Sequence, residues 1–185
     1  YKQKKRTRAT IAKEKGLEEL ANTIIEQKDK NNIYEIANKY INEEKDVRTA
    51  EDAIAGALDI IAENISDNAK YRKQIKRTCY LEGMITTKAT KPEEKSSYDM
   101  YYEFSEKVNR IPSHRILAIN RGEKEEFLKV KIDKPEEKIL ASIEKDIIKD
   151  EHSQYTELLK NCIADSFSRL IEPSIDREIR ADLTE

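Results

Sequence analysis

The residues best placed to do chemistry lie between positions 113 and 123, where Ser113, His114, Arg115, Arg121 and Glu123 gather in one short segment. Two guanidinium groups beside a hydroxyl and an imidazole could clamp a phosphate or a partner, because arginine presents a planar fork of donors. The same residues could serve structure alone, with Arg115 or Arg121 pairing with Glu123 and pinning a helix to the strand after it. Two further groups of cations stand apart from this one. Lys4, Lys5, Arg6 and Arg8 open the chain, and Lys70, Arg72, Lys73, Lys76 and Arg77 form a run with no acid inside it. Such clusters suit phosphate contacts, whose affinity is independent of sequence and falls with salt.

Catalytic patterns are missing. His114 and His152 are single, without a ligand-spaced partner, and Cys79 and Cys162 lack the paired spacing of a zinc site. The sequence holds no glycine-rich phosphate loop and no G-x-S-x-G elbow. The reading is therefore a non-enzyme with no metal and no cofactor, its cysteines reduced as in a cytoplasmic protein. No apolar run reaches membrane-spanning length.

The elements that must position these cations are mainly helices. Charged residues make up 39% and apolar residues 37%, with four glycines and four prolines, and the apolar ones recur at helical spacing, which argues against disorder. The first basic group lies at the start of a helix from about Thr7 whose stripe is Ile11, Leu17, Leu20, Ala21, Ile24 and Ile25. A short helix over about 33–41 precedes a capping box at Thr49 and Asp52. That box opens the most apolar helix, with stripes on Ile54, Leu58, Ile61, Ile65 and on Ala53, Gly56, Ala57, Ile60. The two helices form a helix-turn-helix-like pair. Glu51, Asp52, Asp59 and Glu63 would repel phosphate, so the pair reads as packing rather than as a groove reader.

A helix restarting at Ser66 and Asp67 carries the second basic run. Residues 83–88 then read as a short extended piece, and 88–97 as a loop and sub-boundary. Tyr98, Tyr101 and Tyr102 have the spacing of a helix face in a core, the alternative being base stacking. Pro112 places Ser113 as the cap of a helix that Gly122 should stop, and Phe127, Leu128, Val130 and Ile132 alternate with Lys129 and Lys131 as a strand over 127–132. After it, Asp133, Pro135 and Glu136 read as a helix start, a helix follows over about 153–171, and Pro173 and Ser174 end it and cap a last one. The expected fold is mostly α, a multi-helical domain with a small β element near 127–132.

Charge is uneven along the chain. Residues 1–92 hold 19 basic and 15 acidic side chains, leaving +4, and the rest hold 16 and 22, leaving −6. A basic face able to meet phosphate beside an acidic remainder is the expectation.

Residues 112–132 (PSHRILAINRGEKEEFLKVKI) resemble the signature of the Tex family, bacterial transcription accessory proteins. Residues 1–21 (YKQKKRTRATIAKEKGLEELA), 50–66 (AEDAIAGALDIIAENIS) and 98–106 (YDMYYEFSE) resemble further family blocks in the family's order. The resemblance implies that 1–185 is an internal fragment of the N-terminal helical region. The chain begins inside a block without Met, ends at Glu185 without a helix stop, and lacks the RNase H-like, helix-hairpin-helix and S1 domains into which the family continues. The implied function is non-catalytic nucleic-acid binding in transcription, to RNA foremost, by a monomeric helical scaffold with a basic contact surface. The implied alternative is a scaffold that docks the other Tex domains or RNA polymerase without touching nucleic acid.

Overall fold

A computed structural model describes residues 5–185. The described elements, in chain order, are α1 (Arg8–Glu14), α2 (Glu18–Glu26), α3 (Ile33–Asn38), α4 (Ala50–Ser66), α5 (Ala69–Glu82), β1 (Met84–Ala89), β2 (Glu103–Lys107), α6 (Ser113–Lys124), β3 (Leu128–Asp133), α7 (Glu136–Ile147), α8 (Thr156–Asp165) and α9 (Glu172–Leu183), with a π-helical stretch, Ser166–Ile171, between the last two. The fold is mostly α with a small antiparallel sheet, as the periodicity implies. The chain divides into two compact units, residues up to 71 with 140–171, and residues 72–139 with 172–185. Residues 88–97 lie inside the second.

The first unit is built on α4. Its Ala53, Ile54, Ala57, Ile60, Ile61 and Ile65 are buried, and α1, α2, α3 and α8 pack against it. Gly56 explains how closely one neighbour approaches: a Cβ there would lie 2.3 Å from Leu17 Cδ1. Thr49 caps α4, its Oγ1 accepting from the Asp52 amide at 3.1 Å, while Asp52 accepts from the Arg48 amide at 3.2 Å. The stripe from Ile11 to Ile25 does not lie on one helix. Gly16, at φ +79°, breaks it into α1 and α2, a left-handed turn that glycine adopts without strain. Between α3 and α4, residues 39–49 hold a 3₁₀ turn and an Asn42–Val47 bridge, a longer connection than the three or four residues of a DNA-reading pair.

The second unit carries a three-stranded antiparallel sheet of order β2-β1-β3. Period-two alternation gives it two distinct faces. Ile85, Thr87, Leu128 and Ile132 are buried on the inner one, where α6 covers β3. Gly122 does not end α6 but sits buried within it, because a Cβ there would lie 2.5 Å from Leu128 Cδ1 and 3.1 Å from Tyr98 Cδ1. Glu126, at φ +66°, makes the left-handed turn after the helix.

Several expected helix starts move by a few residues. Pro112, not Ser113, occupies the N-cap of α6, with no side-chain cap bond. Asn68 caps α5 by accepting from the Tyr71 amide, and Asp133 ends β3 rather than capping α7. Tyr98 and Tyr101 are core residues as expected, but on a 3₁₀ turn leading into β2 rather than on a helix face, whereas Tyr102 is half-buried and its hydroxyl donates to the Glu94 carbonyl at 2.6 Å. Pro173 ends nothing: the π-helical stretch runs directly into α9, leaving the proline in the first turn, where its missing N–H is tolerated.

A buried ion cluster ties β3 to α9. The Lys134 side chain is 2% exposed, donates to Glu172 Oε2 at 2.7 Å, to the Ile132 carbonyl at 2.6 Å and to Asp176 Oδ2 at 3.4 Å, and lies 3.2 Å from Asp176 Oδ1 without hydrogen-bond geometry at that oxygen. Burial opposes the charge on Lys134, yet the two carboxylates outweigh it and raise the ammonium above its ordinary value.

Candidate nucleic-acid interface

The long basic run lies on α5, and helical geometry splits it into two faces. Arg72, Lys76 and Tyr80 recur every four residues and meet Ser174, Glu178 and Asp182, which recur every four residues on α9. Arg72 donates to Ser174 and reaches Glu178 at 3.4 Å, and Lys76 lies 3.6 Å from Glu178 and 3.0 Å from Asp182. The Tyr80 hydroxyl donates to Asp182 at 2.8 Å. The hydrogen bonds from Tyr80 and Lys76 hold the Asp182 carboxyl below its ordinary value, while burial first and the Asp182 bond second push the Tyr80 phenol up to about 12. Lys70 sits apart, 3.8 Å from Asp146. Lys73 and Arg77, one turn apart, are exposed and make no ion pair among the described residues.

At the start of the chain, Lys4 lies outside the described residues. Lys5, Arg6 and Arg8 are exposed. Arg6 pairs with Glu14, leaving Lys5 and Arg8 without an ion pair among the described residues. Arg8 begins α1, where a cation opposes the helix dipole.

The cluster at 113–123 does not converge on one point. Arg115 pairs with Glu106 of β2 and stands 5.7 Å over the Phe104 ring, fixing α6 to the inner face of the sheet. Glu123 and Asn120 instead receive Arg180 of α9, at 2.6 and 3.0 Å for the two carboxylate oxygens and 2.7 Å for the amide oxygen. Ser113, His114 and Arg121 are exposed, Arg121 near the Tyr98 phenol, which donates to Glu125. The signature thus works as a junction of α6 with β2 and α9. The sequence offered no local sign of Glu106, Arg180, Glu178 or Asp182 as partners, although the four-residue spacing on α9 was readable.

Chemistry beyond charge has little foothold. No group of three or more His, Cys, Asp or Glu side chains among the described residues could hold a metal. Burial pushes the Cys79 thiol up to about 11 and the Cys162 thiol up to about 12, so both are weak nucleophiles at neutral pH. No described helix is long and apolar enough to cross a membrane.

A family model described as Tex central region-like matches residues 28–185. The chain belongs to the Tex family. Across its whole length it is 47% identical to the protein named YdcI of Bacillus subtilis, of which it covers 26%. It is 34% identical to protein tex of Bordetella pertussis over 71% of the chain and 17% of that protein. Human S1 RNA-binding domain-containing protein 1 is 30% identical over 97% of the chain, which covers 19% of that protein. This Tex chain thus spans about a quarter, or less, of these relatives' length, and the α5, signature and sheet regions all fall within the residues 28–185 that the family model matches.

Proposed function

We propose that this chain is a non-catalytic part of a bacterial, cytoplasmic Tex transcription accessory protein, a monomeric helical scaffold that adds a cationic contact to nucleic acid, RNA foremost. The observation that carries this reading is the pair Lys73 and Arg77 on α5, exposed and without an ion pair among the described residues while α9 neutralises the other side of the same helix. Both can reach phosphate at no cost in internal pairing. The names of the relatives, a transcription accessory protein and an S1 RNA-binding protein, support the same direction. In this reading Lys5, Arg6, Arg8 and Lys70 are secondary contacts with Lys4, and the α3–α4 pair serves packing.

A second reading, a scaffold that docks other Tex domains or RNA polymerase without touching nucleic acid, is favoured by a different feature. The first unit holds an apolar hollow of about 190 Å³ floored by Ile25, Ile61, Ile65 and Ile147 and rimmed by Asn22 and Asn64, room for one side chain of a partner.

Fluorescence anisotropy of labelled single-stranded RNA and duplex DNA, at low and near-physiological salt, separates the two. Binding that falls with salt, and whose log–log salt slope shrinks by about 1 to 2 on changing Lys73 and Arg77 to Ala, supports the first. Absence of binding at low salt leaves the docking scaffold.

A further inference from the structure

The outer face of the sheet carries cations that neither the basic runs nor the signature include. Register puts Lys88 of β1 directly opposite Lys129 of β3, Thr86 opposite Lys131 and Ser105, and Met84 opposite Lys107 and Asp133. Because side chains alternate, all of these point away from α6. Lys88, Lys107, Lys129 and Lys131 are exposed, and none makes an ion pair among the described residues, although Glu103 lies opposite Lys88 and Asp133 stands two residues beyond Lys131. A hollow of about 410 Å³ opens over Thr86, Lys88, Lys129 and Lys131, with Asp133 at its side.

Edge protection explains only part of this. Lysines on edge strands blunt strand-to-strand aggregation, which accounts for Lys107 on β2 and for Lys129 and Lys131 on β3. Lys88 is on the central strand, where no edge needs guarding. Like charges directly opposite each other destabilise a sheet, so the Lys88–Lys129 pair is a local cost of folding. Such a conflict marks a place where something else supplies the missing negative charge.

We infer that the outer face of the sheet, through Lys88, Lys129, Lys131 and Lys107, seats the phosphodiester backbone of a single-stranded RNA. The inference rests on the nucleic-acid reading above and assigns it a second surface. Lys129 and Lys131 stand about 7 Å apart along β3, a row rather than a point, with the Ser105 hydroxyl beside it as a further donor, while Thr86 Oγ1 donates to the Lys131 carbonyl at 3.2 Å. Among the described strand residues of this face none is aromatic, so it grips backbone and does not stack bases or read sequence. A protein partner would need an apolar or aromatic anchor, and the largest apolar group here, Met84, is half-buried. A face three strands wide is also broader than the two-stranded ribbon that a duplex major groove admits, which favours an open strand.

The test is anisotropy of a labelled single-stranded RNA of mixed sequence, titrated across salt with the whole chain and with the triple variant Lys88→Gln, Lys129→Gln, Lys131→Gln. The variant should bind more weakly, with the log–log salt slope reduced by about 2. Its thermal midpoint should stay level or rise, because the repulsion between Lys88 and Lys129 is gone. An unchanged slope in the triple variant, with binding lost in the Lys73 and Arg77 variant, overturns the sheet site and leaves the proposed function standing. A wild-type chain that binds no RNA at low salt overturns both. Tighter capture of duplex DNA or of a polyglutamate peptide than of single-stranded RNA, lost in the triple variant, overturns the choice of occupant.

Discussion

Helix α5 and the outer face of the sheet both present a dense set of cations, and they differ in what lies across from them. On α5, Arg72 and Lys76 face the carboxylates of α9 at matching four-residue spacing. On the outer face of the sheet, Lys88 lies between Lys129 and Glu103, and none of that face's lysines makes an ion pair among the described residues. Lysine and arginine density along a sequence therefore does not measure the charge a surface offers. The partner's register decides it, and on α5 that partner lies some hundred residues away.

The largest expected effect separates a buried cation from an exposed one at the end of the same strand. Lys134→Ala leaves Glu172 and Asp176 facing each other without their ammonium and should cost about 3–5 kcal/mol in chemical denaturation. Lys131→Ala, on the outer face, should stay within about 0.5 kcal/mol. Equal losses would erase the distinction between the two kinds of lysine.

Next comes the inner face that gives the sheet its orientation. Gly122→Ala drives a Cβ into Leu128 and Tyr98, and should destabilise by about 1–3 kcal/mol. A neutral result in thermal unfolding would mean that α6 does not press on β3 as described.

A smaller effect would make α5 resemble the sheet. Glu178→Gln removes a partner of both Arg72 and Lys76, so it should tighten RNA binding and steepen its salt slope while lowering stability by roughly 0–1 kcal/mol. Acid should do the same in part. Asp182 is held below its ordinary value of 3.8, so the stability it contributes is present above that pH and is lost as pH falls through the depressed value. Contacts between Tyr80 and Asp182 should loosen only there, and a shift of the Tyr80 ring resonances at pH 5 would contradict this. The smallest effect concerns the thiols: Cys79 and Cys162 should resist a thiol reagent at pH 8 until the chain is unfolded.

The helices and the strand at 128–133 were legible because their apolar residues repeat at 3.6 or 2, and because Thr49 and Asp52 form a local cap. Other features depended on distant atoms. Gly122 looked like a stop until Leu128 and Tyr98 were seen to need the missing Cβ, and Pro173 looked like a break until the π-helical turn absorbed it. The 113–123 cluster suggested one site because its members are close in sequence. Arg115 and Glu123 in fact turn to β2 and α9. The alternation of Lys129 and Lys131 with apolar residues was visible, but their meeting with Lys88 required the register of β1 on β3.

The most direct measurement is the salt slope of RNA binding for two variants compared with wild type, one with Arg72 and Lys76 changed to Gln and one with Lys88, Lys129 and Lys131 changed to Gln. The slope should be little altered in the first and reduced by about 2 in the second, because only the second removes cations that make no ion pair among the described residues. A slope that collapses in the first and persists in the second would contradict this.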